Sequence, residues 1–456
     1  MDSTDQEPVS EELTNTDSQH FCAIDQWLAQ KKGSDPVWEQ VHDSLDAKWQ
    51  AEYTPDNRSN TLYLLPVVIH VVHNYGAENI SDAQALQAVD FLNEAYENSG
   101  YYDQDTGVDT EIEFCLAKRD PDGGPTSGIT RTDSPLTEFF LETQDADLKG
   151  LIQWDPTKYI NIWVVRDICS ISIGCGVAGY ATFPASHGQS DDGIVIEADF
   201  FGSAAAENSV LAHEMGHYLG LYHTFEGGCL NDDCLANGDQ VCDTPPDQST
   251  VAVPCDVEIN SCFTDVNPTD PNNPFTEDQL DLFNNYMDYG DLNCYNMFTQ
   301  GQADRMAFFI ENVRASLLDS DACTHPCPDN IAVNVIPGDT SILAGSTLAF
   351  TNFSAGAASY EWFVDGNSEA TTADFSFTFN DEGDFVVELV MENGNPDCTV
   401  TVEILVRVVE CFGNAHVDIN NGLDVPGCGD PLNRCATIQY ALDNIVCPED
   451  TVFIYS

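Results

Sequence analysis

Between residues 213 and 223 the sequence reads His213-Glu214-Met215-Gly216-His217-Tyr218-Leu219-Gly220-Leu221-Tyr222-His223. Side chains four apart on a helix project from one face, so His213 and His217 are placed to hold one metal ion with Glu214 beside it. Gly220 permits the backbone reversal that ends the helix, and His223 then returns from the far side of the turn as a third ligand. Three neutral imidazoles leave the fourth tetrahedral position of a zinc ion open to water, the arrangement of a catalytic rather than a structural site. Glu214 is the candidate general base for that water. The competing reading, a solvated helix face carrying two histidines, leaves Gly220 and His223 unexplained.

These residues need elements to hold them. Ser209 to Leu219 reads as a helix ending at Gly220, followed by a Cys/Asp/Pro-rich stretch to about Asn284 with little regular structure. So long a loop inside a domain is usually functional or cross-linked. Thr299-x-x-Gln302 caps a last helix with Met306, Phe309, Ile310 and Val313 on one face. Upstream, Leu62 to Val72 is a β-branched run of buried-strand type, and Ser81-x-x-Gln84 opens an amphipathic helix carrying Leu86, Val89, Leu92 and Tyr96. Further strands are predicted at 110–117, 159–165 and 193–197, without a regular βαβ rhythm, so the class of a domain spanning 61–320 is α+β. Residues 1–60 are polar and charged, with helical patterns around Ile24 to Lys32 and Pro36 to Glu52 and little to build a core from; they read as a pro-segment or linker. After a short Pro/Cys linker, residues 328–409 alternate apolar and polar positions in short runs, the pattern of an antiparallel β-sandwich.

The 456 residues carry 14 basic and 77 acidic side chains, a formal charge of −63. That excludes a nucleic-acid binder held by a basic face. No window is apolar enough for a membrane span, and the start, Met1-Asp2-Ser3-Thr4-Asp5, has no visible signal peptide. Seventeen cysteines without zinc-ribbon spacing favour disulfides in an oxidising compartment, hence a secreted or cell-surface protein. An odd total leaves at least one thiol unpaired or with another task. A surface this acidic suits a salty medium, or simply keeps a large extracellular protein soluble.

The extended histidine motif is that of the metzincins. Asn285-Tyr286-Met287-Asp288-Tyr289 resembles their Met-turn, and Gly128-Ile129-Thr130-Arg131, Gly179-Tyr180-Ala181-Thr182-Phe183-Pro184, Gly238-Asp239-Gln240-Val241-Cys242-Asp243-Thr244-Pro245 and Asn296-Met297-Phe298-Thr299 resemble the pappalysin family in its ulilysin or cytophagalysin branch. The resemblance covers residues 20 to 318. It implies His213, His217 and His223 as zinc ligands, Glu214 as general base, Met287 as the floor beneath the metal, and Tyr289 as a phenol near the reacting carbonyl. It implies structural calcium at Asp239, Asp243 and Thr244, for which a solvated acidic loop is the alternative. It pairs Cys229 with Cys255 and Cys262 with Cys294; proximity in sequence suggests Cys234 with Cys242. Cys22 falls where family pro-segments carry a cysteine that silences the zymogen through the metal, although Cys22-Ala23-Ile24 departs from the usual Cys-Gly-Thr. A disulfide or unpaired cysteine is the alternative there.

Tyr360-Glu361-Trp362 and Glu382 to Leu389 resemble a polycystic-kidney-disease (PKD) module, with Val364-Asp365-Gly366 in place of its usual Gly-Asp-Gly turn. Residues 411–456, with Cys435 to Leu442 and Thr451 to Tyr455, look like the start of a parallel β-helix, so a longer protein is expected. The combined expectation is a secreted, latent zinc endopeptidase acting on protein or peptide substrates, next to Arg or Lys by resemblance. The C-terminal β domains are expected to contact a cell surface or polysaccharide. Two rival readings are an adhesion or carbohydrate-binding protein with a non-catalytic zinc domain, and a zinc deamidase or esterase.

Overall fold

The β-branched run is the spine of the molecule. In the computed structural model, which describes residues 20–53, 61–102, 106–248, 254–255, 257–326, 331–393, 399–409, 415–424, 434–444 and 451–455, it forms an eleven-residue strand, Tyr63–His73, buried throughout from Leu65 onward. Burial on both faces is what an uninterrupted apolar strand requires, and it is met by parallel neighbours. The elements in chain order are β1 (His20–Cys22), α1 (Ile24–Ser34), α2 (Pro36–Glu52), β2 (Tyr63–His73), α3 (Asp82–Glu97), β3 (Ile112–Leu116), β4 (Ile129–Asp133), β5 (Glu138–Phe140), α4 (Leu141–Lys149), β6 (Ile160–Val165), β7 (Asp167–Ser170), β8 (Gly174–Ala181), β9 (Ile194–Glu197), α5 (Ala205–Tyr218), α6 (Gln300–Asn312) and α7 (Ala315–Leu318). Strands β3, β4 and β6 all pair with β2 in parallel, and β9 pairs with β6 in parallel. Strand β8 reverses, lying antiparallel to both β7 and β9, and β1 runs with it in parallel.

Alternation along β2 divides the core. Leu65, Val67, Ile69 and Val71 face α3, α5 and the segment around Met287. The opposite face of the sheet packs Trp163, Val177, Tyr180 and Val195 against Phe139, Leu141, Trp27 and Trp38. The last two belong to α1 and α2, so the N-terminal segment has more to bury than expected. Its contribution is concentrated in three indoles, Trp27, Trp38 and Trp49, at 5%, 4% and 3% exposure. A few aromatic side chains suffice because each removes a large area from water. Trp38 Nε1 donates to Ser186 Oγ at 2.9 Å, Trp49 Nε1 donates to the Gln240 carbonyl at 2.9 Å, and Asp46 pairs with the buried Arg305 at 2.7 Å.

Helix α5 starts four residues before the sequence suggests, at Ala205, and α6 carries both halves of the predicted capping box. Between them the described residues form turns held by cross-links. The disulfides are Cys229–Cys262, Cys255–Cys294 and Cys234–Cys242, which corrects the partners implied by resemblance for the first four of these cysteines. The reason lies in the path of the loop. Thr264 Oγ1 donates to the Cys229 carbonyl and Asn231 Nδ2 to the Thr264 carbonyl, so the 229 strand of the loop runs beside 261–265 and leaves Cys255 facing Cys294. Cys115–Cys323 fastens β3 to the segment after α7, and Cys169–Cys175 closes the β7–β8 hairpin.

Beyond residue 331 come β10 (Val335–Ile336), β11 (Thr340–Leu343), β12 (Ser346–Asn352), β13 (Ser359–Val364), β14 (Asn367–Ala370), β15 (Phe375–Phe379), β16 (Gly383–Glu392) and β17 (Thr399–Val409). They form a three-stranded and a five-stranded sheet around Phe350, Trp362, Phe375 and Leu389. The β13–β14 hairpin turns on Asp365 and Gly366, both with positive φ, as a two-residue turn between twisted strands demands. The last elements are β18 (Ala415–Asp418), α8 (Ile438–Asn444) and β19 (Val452–Tyr455), with β18 and β19 parallel. Val417 of β18 also bridges Cys435 in parallel, and among the described residues the expected β-helix is not confirmed. Residues 1–19, including the acidic start, and 54–60, before the spine strand, lie outside the described residues.

His70 lies wholly buried in β2. Asn161 Oδ1, 2.9 Å away, can only accept, so Nε2 carries the proton and Nδ1 accepts from Thr130 Oγ1 at 2.7 Å. Burial lowers its pKa from 6.5 to about 4. The unfolded chain therefore binds a proton between pH 6.5 and 4 that the folded chain refuses. The neutral imidazole costs nothing above the unfolded value, and stability falls as pH drops through that window. Unfolding by denaturant at pH 7.5 and 4.5 is expected to lose about 2–3 kcal/mol less over this interval in His70→Gln than in the parent. An equal loss in both chains would exclude His70 as the source.

Candidate active site

Helix α5 is buried on all sides from Asn208 to its end, so its histidines are desolvated from the outset. His213 and His217 share a face, and the chain leaves the helix at Gly220, whose φ is +100°. A Cβ there would lie 2.3 Å from the Phe309 ring, so both conformation and space select glycine. His223 follows on the return. His217 Nε2 is 3.0 Å from His213 Nε2 and 3.2 Å from His223 Nε2. The other ring nitrogens fix the tautomers: His213 Nδ1 donates to the Tyr286 carbonyl at 2.5 Å and His217 Nδ1 to the Leu221 carbonyl at 2.8 Å. Their Nε2 atoms are therefore bare lone pairs aimed at one point. Burial drives the pKa of His217 down to about 4 and those of His213 and His223 well below normal, so protonation does not relieve the crowding. Such a set suits a borderline-soft cation such as zinc.

Glu214 is fully buried, and the Cys22 thiol is its hydrogen-bonding neighbour. Burial raises its pKa to about 8, with the Cys22 thiol beside it. Room for this side chain comes from β8, where a Cβ on Gly179 would sit 3.0 Å from Glu214 Cγ. The N-terminal segment enters at the same point. Strand β1 runs parallel to β8 with Cys22 opposite Gly179. Cys22 is the free cysteine among the described residues, and its sulfur and one nitrogen from each of His213, His217 and His223 all lie within 4.8 Å of one another. Burial, reinforced by Glu214, raises its pKa well above normal.

Met287 lies beneath this group. A Cβ on Gly216 would come 2.4 Å from Met287 Sδ, so the helix touches the methionine through a bare glycine. The turn is bolted to α6: Asn285 Oδ1 accepts from the Met287 amide at 2.9 Å and from Gln302 Nε2 at 3.0 Å. Tyr289 packs its ring 4.9 Å from that of His223, with its hydroxyl 3.5 Å from the Cys22 carbonyl. The structure thus gathers His213, Glu214, His217, His223, Cys22, Met287 and Tyr289 into one site. Asp239, Asp243 and Thr244 form a separate group. Thr244 Oγ1 donates to Asp239 Oδ2 at 2.7 Å, while Asp243 accepts from Thr299 Oγ1 and the Gly301 amide and so caps α6. The calcium expectation there rests on resemblance alone. Unread in the sequence were Phe225, stacked 4.6 Å from His223, and Asp25, 3.8 Å from His223 Nδ1. Nothing local marks either, because both contacts depend on the tertiary path.

The fold and this donor set define a class, the metal-dependent endopeptidases of metzincin type. Residues 142–311 match the family described as pregnancy-associated plasma protein-A, and the chain belongs to that family, the pappalysins. Residues 332–406 match the PKD domain. An extracellular metalloprotease of Pyricularia oryzae is 32% identical over 257 residues, which span 54% of this chain and 75% of the relative. One from Verticillium alfalfae is 38% identical over 189 residues, 39% of this chain and 58% of the relative. Among solved structures, a point mutant of Tannerella forsythia promirolysin is 28% identical with a TM-score of 0.53, covering 68% of this chain and 100% of that one.

Replacing an interior helical glycine by alanine ordinarily stabilises by up to about 1 kcal/mol. At Gly216 the sign should reverse, because Met287 is wholly buried and cannot swing away. Overpacking of about 1–3 kcal/mol outweighs the helical gain. Gly216→Ala is expected to unfold at lower denaturant and to bind zinc more weakly; a variant as stable as the parent would show that Met287 does not press on α5.

Proposed function

We propose that the chain is a latent zinc endopeptidase, with residues 1–60 as pro-segment, 61–320 as catalytic domain, 328–409 as a β-sandwich and 411–456 as a further β region. The observation that carries this reading is the convergence of the His213, His217 and His223 Nε2 atoms beside the buried Glu214 carboxylate and the Cys22 thiol. His213, His217 and His223 would hold the ion. Zinc, when bound, supplies Lewis acidity that brings a water's pKa towards about 7 and polarises the scissile carbonyl.

The protein's own groups do the rest. Glu214 takes a proton from the attacking water and delivers it to the leaving amine nitrogen as the C–N bond breaks. Burial gives the carboxylate the raised basicity that this shuttle needs. The Tyr289 phenol, which stays protonated because burial raises its pKa well above normal, donates to the developing oxyanion. In the latent chain the Cys22 sulfur takes the space that water and substrate require, and β1 covers β8 where a substrate backbone would lie. Cleavage next to Arg or Lys follows from the resemblance and fits a charge of −63. Secretion is supported by relatives named extracellular and by the five disulfides of the described residues.

Hydrolysis of a quenched peptide library tests this. The intact chain is expected to be nearly inactive, and a cut between Tyr53 and Thr61 followed by removal of the N-terminal piece should raise the rate at least a hundredfold. Cys22→Ala alone should raise it less, since the three buried indoles still hold the segment down. Glu214→Gln in the trimmed protein should keep zinc and lose turnover by about three orders of magnitude. A trimmed, zinc-loaded protein that cleaves nothing, or a Glu214→Gln variant that still does, would sink the proposal.

A further inference from the structure

Behind the Met-turn lies a cavity of about 700 Å³ that takes no part in the chemistry above. Its lining includes Tyr101, Val257, Glu258, Leu280, Asp281 and Asn293. Three of these are large apolar side chains left open to solvent: Leu280 at 47%, Tyr101 at 44% and Val257 at 41% exposure. Apolar groups gathered around one concavity are unusual on a soluble surface and generally mark an interaction site. The charge has one sign, since Glu258 and Asp281 line the cavity and, among the described residues, no Lys or Arg does.

Its position is fixed by a single loop. Tyr289 faces His223, and the same segment reaches the cavity at Asn293. The backbone between is held rigidly. Tyr295 Oη donates to the Asp288 carbonyl at 2.5 Å, and Gly290 fits so closely that a Cβ would lie 2.2 Å from the Phe283 carbonyl oxygen. Tyr295 is six positions on from Tyr289, a span of at most about 22 Å. An extended polypeptide seated at the histidines therefore needs only about seven further residues to reach the cavity. The contacts that hold the N-terminal segment, through Ser186, Gln240 and Arg305, lie elsewhere. Among the described residues, none of the N-terminal segment lines the cavity.

We propose that this cavity is an exosite that grips polypeptide substrates away from the cut, taking an extended segment in which an aliphatic or aromatic side chain alternates with Lys or Arg. The apolar side chain enters between Leu280 and Val257, and the basic one meets Glu258. The proposal rests on the peptidase reading for its consequence, which is that long substrates bind more tightly than short ones, but not for the binding itself.

The test uses a short quenched peptide cleaved by the trimmed protein, and the same peptide extended at either end by ten residues of alternating Leu and Lys or, as control, Ser and Glu. One Leu-Lys extension is expected to lower KM about tenfold with kcat little changed. Leu280→Lys and Val257→Lys should each abolish that gain while leaving the short peptide's kcat and KM as they were; Glu258→Gln should reduce it and flatten its salt dependence. Leu280→Ser serves should the charge reversal disturb folding, checked by thermal unfolding. No gain from either extension, or a gain that survives these substitutions, overturns the exosite. If the parent cleaves no peptide, the peptidase reading fails instead, and the exosite is decided by direct binding of the Leu-Lys peptide to the intact Glu214→Gln chain, with and without Leu280→Lys. Binding lost on substitution supports it, and binding unaffected refutes it.

Discussion

Three buried imidazoles, with His217 Nε2 3.0 Å from His213 Nε2 and 3.2 Å from His223 Nε2, are the constraint around which the catalytic domain is arranged. The Nε2 atoms of His213 and His217 are acceptors, and all three imidazoles resist protonation because burial disfavours their charged form. The arrangement is costly as it stands and favourable around a cation, which makes metal binding and folding of this region one free-energy problem. Two backbone carbonyls, of Tyr286 and Leu221, set the direction of the lone pairs. Both lie in turns that other parts of the fold must fix. The Met-turn is fastened to α6 through Asn285 and Gln302, and α6 in turn is capped by Asp243 from the disulfide-linked loop. The irregular region after α5 is therefore a support for the site.

Space around the site is controlled by absent side chains. Gly179 leaves room for Glu214, Gly216 for Met287 and Gly220 for Phe309, so sheet, turn and last helix all approach α5 more closely than any larger residue would allow. The N-terminal segment completes this enclosure from the open side. It adds β1 to the sheet beside β8, sets Trp27 and Trp38 on the sheet's second face and seats Trp49 against Cys234, Leu235 and Cys242 of the loop after α5.

Much of the site was legible because its signals are local. A helix period places His213 and His217, one glycine turns the chain to His223, and the capping box at Thr299 and Gln302 fixes where α6 begins. The buried strand from Leu65 and the sandwich beyond residue 331 were equally readable from period and length. Disulfide partners were not, because which cysteines meet depends on how the loop from Cys229 to Cys294 doubles back, and nothing in its composition encodes that path. The N-terminal helices were underestimated because Trp27, Trp38 and Trp49 are widely spaced in sequence and meet their partners only in three dimensions. Asp239, Asp243 and Thr244 carry a recognisable pattern, yet all three are engaged in contacts of the fold, Asp243 as a cap of α6 and Thr244 as a donor to Asp239.

The account's central claim is that Cys22 and the three histidines converge on one metal in the latent protein. X-ray absorption at the zinc edge tests it most directly on the zinc-loaded chain, intact and after removal of the N-terminal segment. The account predicts three nitrogen ligands and one sulfur at about 2.3 Å in the intact protein, and only nitrogen and oxygen ligands after removal. An intact protein without the sulfur shell, or with fewer than three histidine nitrogens, would contradict it.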